Sequence, residues 1–211
     1  YTSGSNKIRN YTIDQSTGNL TAGDDVTVAS SSDMAVLPDG SFAYVTTSTG
    51  TVIRYAVNST TGALSSGTTL VSSLGANTTI EIDTTGSHVY IYDASNNRVI
   101  PYTVGSGGSL TAGTAADTSA SGTTFSKSLI GGALFALQGG TSITPISISS
   151  GVLTSGTPVA TGASSTDFTM TDGNGLFLYE RNSADGIYVH SITQSTKALG
   201  AAASVTTGTR F

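Results

Sequence analysis

One short phrase returns five times along this chain, and few architectures accommodate such a pattern. It reads Ile8-Arg-Asn-Tyr-Thr-Ile-Asp-Gln-Ser-Thr-Gly-Asn-Leu20, then Val52-Ile-Arg-Tyr-Ala-Val-Asn-Ser-Thr-Thr-Gly-Ala-Leu64. Residues Val99–Leu110, Ile143–Leu153 and Ile187–Leu199 repeat it. Each copy is a short strand, a polar turn and an apolar residue that opens another strand. The closing leucines are 20, 64, 110, 153 and 199, spaced 44, 46, 43 and 46 residues apart. A regular period of about 40–50 residues marks a repeat architecture, and that length fits a propeller blade of four short strands.

A second phrase sits upstream of each later leucine: Ser41–Val45, His88–Ile91, Ala133–Leu137 and Leu176–Tyr179. These are apolar, β-rich runs bounded by Gly, Asp and Ser. A third short run precedes each, and a fourth follows each leucine. Every repeat therefore holds four strands, A to D in chain order. The reading is all-β: a propeller of four-stranded antiparallel blades, about five repeats of about 44 residues, one of them incomplete. The blades fall near 1–31 (partial), 32–73, 74–120, 121–163 and 164–211, as one domain or an excerpt of a larger propeller. Tyr1 resembles the end of a B strand and Phe211 the start of an A strand. The expectation is a ring cut within a blade. That blade is completed by a larger chain, by a defective closing blade or by strand donation from another copy. Pro101 and Pro145 fall inside C strands, where each removes a ladder donor. A partly paired D strand or a bulge is expected beside them.

Charged residues make up only 10% of the chain, against roughly 25% in average domains. Ser (32) and Thr (36) take the solvent side of strands where Lys and Glu are more usual. The net charge is −5 with no Lys/Arg cluster, which argues against a nucleic-acid partner. Cysteine is absent, so thiolate metal sites and disulfides are excluded. No apolar span is long enough for a transmembrane helix. This surface composition suits an extracellular or cell-surface protein.

At Phe42-Ala-Tyr-Val-Thr-Thr47, followed by Val52-Ile-Arg-Tyr55 and Thr61-Gly-Ala-Leu64, the chain resembles the YVTN-type β-propeller repeat. That repeat is shared by bacterial and archaeal surface proteins and by the seven-bladed lactonase (6-phosphogluconolactonase-like) propellers. The resemblance covers essentially the whole chain and rests on strand and turn residues. It implies the propeller fold and carries over no catalytic residue.

Motifs of chemistry are missing. There is no Gly-x-Ser-x-Gly elbow, His-Glu-x-x-His or phosphate loop. Neither a catalytic set nor a metal set is assigned, and no cofactor is expected. Glu81, Lys127 and Asp167 fall on A strands of three consecutive blades, and Asp33 falls at the A strand of a fourth. A strands line the axis of a propeller, so these four are the candidate ligand-binding residues, weighed against plain solvated side chains. His190 occupies a position held elsewhere by Tyr11, Tyr55 and Tyr102, which reads as packing, and His88 reads as a strand-edge residue. Asp93–Asn97 and Asn182–Gly186 have the oxygen side chains of a Ca²⁺ loop but also those of ordinary Asx turns. The leading functional expectation is a non-enzymatic exported structural or interaction module of a surface layer, adhesin or fibre. Its partners would be a cell-surface protein or glycan, or other copies joined through the incomplete blade. The alternative is a lactonase-like sugar-lactone hydrolase seen as a fragment.

Overall fold

A computed structural model describes residues 2–4, 6–76, 78–118, 124–126, 132–138, 140–162, 166–182 and 186–205. Blade one holds β1 (Thr2–Gly4), β2 (Lys7–Ile13) and β3 (Leu20–Thr27). Blade two holds β4 (Ser31–Val36), β5 (Phe42–Thr47), β6 (Val52–Ala56) and β7 (Thr68–Val71). Blade three holds β8 (Thr78–Ile82), β9 (His88–Asp93), β10 (Arg98–Val104) and β11 (Leu110–Ala112), with β12 (Ala116–Asp117) also on β10. Blade four holds β13 (Thr124–Ser126), β14 (Ala133–Gln138), β15 (Ser142–Ser149) and β16 (Val152–Ser155), with β17 (Val159–Ala160) also on β15. Blade five holds β18 (Thr166–Thr171), β19 (Phe177–Asn182), β20 (Ile187–Ser191) and β21 (Ala203–Val205). The sheets follow chain order and the strand pairs are antiparallel, as the repeat predicts. The chain divides into two compact units, Tyr1–Asp93 with Tyr102–Thr111, and Ala94–Pro101 with Ala112–Phe211. The division runs through blade three.

The repeated phrase has a local cause. Asp14 Oδ1 accepts the Ser16 and Thr17 N–H groups, and Asn58 Oδ1 accepts those of Thr60 and Thr61. Each turn then needs a left-handed residue, supplied by Gly18 (φ 73°) and Gly62 (φ 70°). In blade five Lys197 takes that place at φ 59°. The leucine closes the turn opposite an apolar partner, giving Ile13–Leu20, Val57–Leu64 and Ile192–Leu199.

The B strands β5, β9 and β14 are buried on both faces, which explains their unbroken apolar runs. In the first unit, Ala43, Val45 and Tyr55 of blade two pack on Ile8 and Val28 of blade one. Tyr44 and Thr46 point to the opposite face and are fully buried as well. In the second unit the core joins Ala133, Phe135, Leu137 and Ile143 of blade four to Leu178, Ile192 and Leu199 of blade five. Each buried Val, Leu, Ile or Phe among them contributes about 1.5–3 kcal/mol on burial.

The prolines divide their D strands, as one of the two expected solutions requires. On β15, β16 pairs with Ile146–Ser149 and β17 with Ser142–Ile143, leaving Pro145 between them. The Pro145 carbonyl accepts from Gly156, and that of Pro101 accepts from Gly113, at 2.8 Å each. A side chain at either glycine would press on the proline ring.

Candidate functional site

Asp33 and Glu81 lie in the first unit, on the A strands β4 and β8, which pack against each other. Asp33 is buried. Its Oδ1 accepts the Met34 N–H at 2.9 Å, and its Oδ2 accepts the Ile80 N–H of blade three at 3.1 Å. The Thr46 hydroxyl lies 3.3 Å from the Asp33 carbonyl and 3.0 Å from that of Thr78, and the Thr78 hydroxyl donates to the Thr47 carbonyl at 3.2 Å. Asp33 is therefore a brace between two A strands, holding the strand that carries Glu81. Glu81 is half-buried and pairs with Tyr90, whereas Asp33 pairs with Thr46. Aligned on their B strands, the two carboxylates sit two positions apart on equivalent faces, roughly 7 Å along a strand. Asp167 lies on β18 where the register shifts between Thr166 and Phe168, and its side chain is outside the described set. Lys127 lies outside the described residues. The described structure thus brings Asp33 and Glu81 into one neighbourhood.

Two His–carboxylate pairs were not singled out by the sequence reading. In the first, His88 Nδ1 lies 3.1 Å from Asp83 Oδ2, across the A–B turn of blade three. Asp83 Oδ1 also accepts the Ser87 N–H at 2.9 Å and the Thr85 hydroxyl at 3.0 Å. Burial alone would raise the Asp83 carboxyl. Hydrogen bonds from His88 and Thr85, then from the His88 and Ser87 amides, outweigh it and hold the group below its ordinary value. The imidazole stacks on Tyr90 at 6.3 Å between centroids. A carboxylate that fixes Nδ1–H leaves Nε2 as the acceptor, the arrangement of an oriented general base. Asp39 and Asp172 cap the matching turns of blades two and five, so Asp83 is first a turn cap.

The second pair is Glu180 with His190 in the second unit, both with fully buried side chains. His190 Nδ1 donates to the Gly200 carbonyl at 2.9 Å, and Nε2 lies 3.5 Å from Glu180 Oε2. Glu180 Oε1 accepts the Gly162 N–H, and its Oε2 lies 3.5 Å from the Thr166 hydroxyl. Burial would push the His190 imidazole down, but Glu180 and the Gly200 carbonyl prevail and leave it above its ordinary value. No solute reaches this pair, so it is architecture. The reading of His190 as a packing substitute holds for its position and misses its charge partner. A signal was present, since Glu180 stands where the other B strands have Val45, Ile91 and Ala136.

The Asx-rich loop after β9 is not built as a cation site. Asp93 is fully buried and turned inward, accepting the Gly75 N–H at 3.1 Å. Asn182–Gly186 falls mainly outside the described residues. No group of three or more His, Asp or Glu side chains among the described residues could hold a metal ion. No helix among them is long and apolar enough to cross a membrane. A shallow depression of about 340 Å³ at the β6–β7 turn is lined by Ala56, Val57, Asn58, Ala63, Leu64 and Ser65, none of them charged.

Comparison with known proteins matches this architecture. No curated protein matches the sequence. A functionally unknown protein from Desulfotomaculum acetoxidans is similar in structure, with a TM-score of 0.73 at 15% identity over 94% of this chain. The chain spans 63% of that protein's length. A putative 6-phosphogluconolactonase from Bacteroides fragilis aligns over 100% of this chain and 81% of its own, with a TM-score of 0.57 at 16% identity. The periplasmic gluconolactonase of Pseudomonas aeruginosa aligns over 94% and 77%, with a TM-score of 0.56 at 15% identity. The family model described as lactonase, 7-bladed beta-propeller, matches residues 1–128, more than half of the sequence. The chain belongs to the seven-bladed β-propeller lactonase family.

Proposed function

We propose that this chain provides blades of a lactonase-like propeller that hydrolyses a sugar lactone. The observation that carries the reading is the family match over residues 1–128, which covers both Asp33 and Glu81. In such a reaction water attacks the lactone carbonyl, the ring C–O bond breaks, and a proton goes to the departing ring oxygen. The product is an open hydroxy acid. Glu81 takes the role of a base or sugar-hydroxyl acceptor, and Asp33 holds the Glu81 strand in place. The test is hydrolysis of glucono-δ-lactone and its 6-phosphate by the purified chain, followed by acid release. Acceleration over the spontaneous rate is expected, with a loss of about 100-fold or more in Glu81→Gln, the usual scale for a general base. No acceleration with either lactone overturns the reading, and full activity in Glu81→Gln removes Glu81 from the site.

An extracellular or surface-layer setting stays a proposal from composition, and fractionation of the source cells tests it.

A further inference from the structure

Blade three departs from the other blades at two places, and both departures lie on one face of its sheet. Glu81 pairs with Tyr90 across β8 and β9. The matching A-strand residues are Ala35, Ser126 and Met170, which pair with Tyr44, Phe135 and Tyr179. His88 stands two residues before Tyr90, where the other blades have Phe42, Ala133 and Phe177. Ile82 pairs with Val89, so Asp83 and His88 come next, and the Asp83 N–H donates to the His88 carbonyl at 3.0 Å. Side chains two apart on a strand share a face. Glu81, Asp83, His88 and Tyr90 therefore form a two-by-two set on one face, all within the first unit.

The place of Asp83 is a turn position. Asp172 holds it in blade five, where its Oδ1 accepts the Leu176 and Phe177 N–H groups. Asp83 Oδ1 does the same work, accepting from Ser87 and Thr85. In blade three the second oxygen has a further partner, because Oδ2 meets His88 Nδ1 at 3.1 Å. Phe177 offers no such partner to Asp172. The Tyr90 ring holds the imidazole from a second side, 6.3 Å away between centroids and inclined by 22°. The His88 and Asp83 side chains stay 22% and 20% exposed, whereas those of His190 and Glu180 are at 0%. Solute has access to the first pair and none to the second. Glu81 and His88 are diagonal neighbours across the strand pair, a relation that sets residues about 7–8 Å apart. A sugar-sized ring fits between their polar ends.

We propose that His88 is the general base of the lactone site, with Asp83 as its positioning residue and Glu81 as the acceptor for sugar hydroxyls. The assignment rests on the lactonase reading and deepens it. Water attacks the lactone carbonyl while His88 Nε2 takes its proton. The tetrahedral intermediate collapses, the ring C–O bond breaks, and the imidazolium returns the proton to the departing ring oxygen. The hydroxy acid leaves with a neutral imidazole behind it, so water is the one co-reactant. Asp83 keeps the proton on Nδ1 and stabilises the imidazolium between the two transfers.

The experiment measures kcat and KM for glucono-δ-lactone and its 6-phosphate with the whole chain and three variants. His88→Phe installs the residue that blades two and five carry there, so the sheet keeps an apolar ring at that place. Its kcat is expected to fall about 100-fold or more, the scale of a lost general base. Asp83→Asn keeps an oxygen for the Ser87 N–H but turns an amide donor toward Nδ1, which moves the ring proton to Nε2. A comparable fall in kcat is expected. Nitrogen NMR of the imidazole should show the proton on Nδ1 in the parent and on Nε2 in Asp83→Asn, a change that a purely turn-capping Asp83 would not produce. Glu81→Gln should lose mainly through KM. A parent that accelerates hydrolysis, with full kcat in His88→Phe, overturns the assignment and leaves the lactonase reading standing. So does a parent imidazole that carries its proton on Nε2. A parent that accelerates neither lactone removes the lactonase reading and this assignment together.

Discussion

Replacing Glu180 with valine should cost far more than a usual surface change, although valine is what blade two has at the same position. Glu180 Oε1 holds the Gly162 N–H, and its Oε2 faces the fully buried His190 at 3.5 Å. Removing one partner of a buried ion pair costs about 3–5 kcal/mol, because the other charge stays buried without compensation. For a chain of this size that corresponds to a fall in Tm of roughly 6–20 °C. The paired change is more informative. Glu180→Val with His190→Tyr rebuilds the Val45 and Tyr55 arrangement and leaves no buried charge. The Gly162 N–H, the Thr166 hydroxyl and the Gly200 carbonyl then lose their side-chain partners, at about 1–3 kcal/mol for each that stays buried. The double variant is thus expected to be more stable than the sum of the two single changes predicts, because it leaves no charge buried alone. Urea denaturation of the parent, both singles and the double forms a complete cycle. A Glu180→Val cost below about 1 kcal/mol, or a double variant equal to the sum of its singles, would refute the ion-pair reasoning.

The remaining predictions use the same denaturation assay. His190 has a folded-state pKa above its ordinary 6.5, so its contribution is full below that value and lost as pH rises through the higher folded one. Parent stability should therefore fall on the alkaline side of 6.5, and His190→Tyr should flatten that slope. Asp33→Ala strips acceptors from the Met34 and Ile80 amides and should cost about 1–3 kcal/mol. A smaller loss in Asp33→Asn, which keeps one carbonyl acceptor, would support the brace, and equal losses would count against it. Lys197→Gly puts glycine where Gly18 and Gly62 stand and relieves a left-handed residue, so a gain of about 0.5–1 kcal/mol is expected. A net loss would show that the Lys197–Gln194 contact at 3.3 Å outweighs the strain.

Much of the fold was legible because it is made of local signals used repeatedly. The leucine spacing located blades, the Asp-Gly and Thr-Gly turns located hairpins, and the prolines marked where a D strand divides. The candidate site was less legible, for a geometric reason. Asp33 read as a ligand because an A strand borders the axis, but its side chain leaves the sheet face and meets the amide of the next blade's A strand. A one-dimensional pattern indicates which strand a residue is on, whereas the acceptor of an unpaired edge amide depends on the neighbouring sheet. The His88–Asp83 pair spans only five positions, yet its turn-capping aspartate looked like punctuation. The Glu180–His190 pair could have been found by comparing blades position by position, since both residues depart from an otherwise apolar or aromatic column.

Departures from the repeat carry different information from the repeat itself. A residue that recurs from blade to blade is explained by the blade: Tyr44 and Phe135 are buried because the next blade covers that column. Stability in such a chain is close to a sum of blade terms and nearest-neighbour interfaces. The Asp33–Ile80 brace is one such interface term, at the junction of blades two and three, where β4 and β8 are packed together.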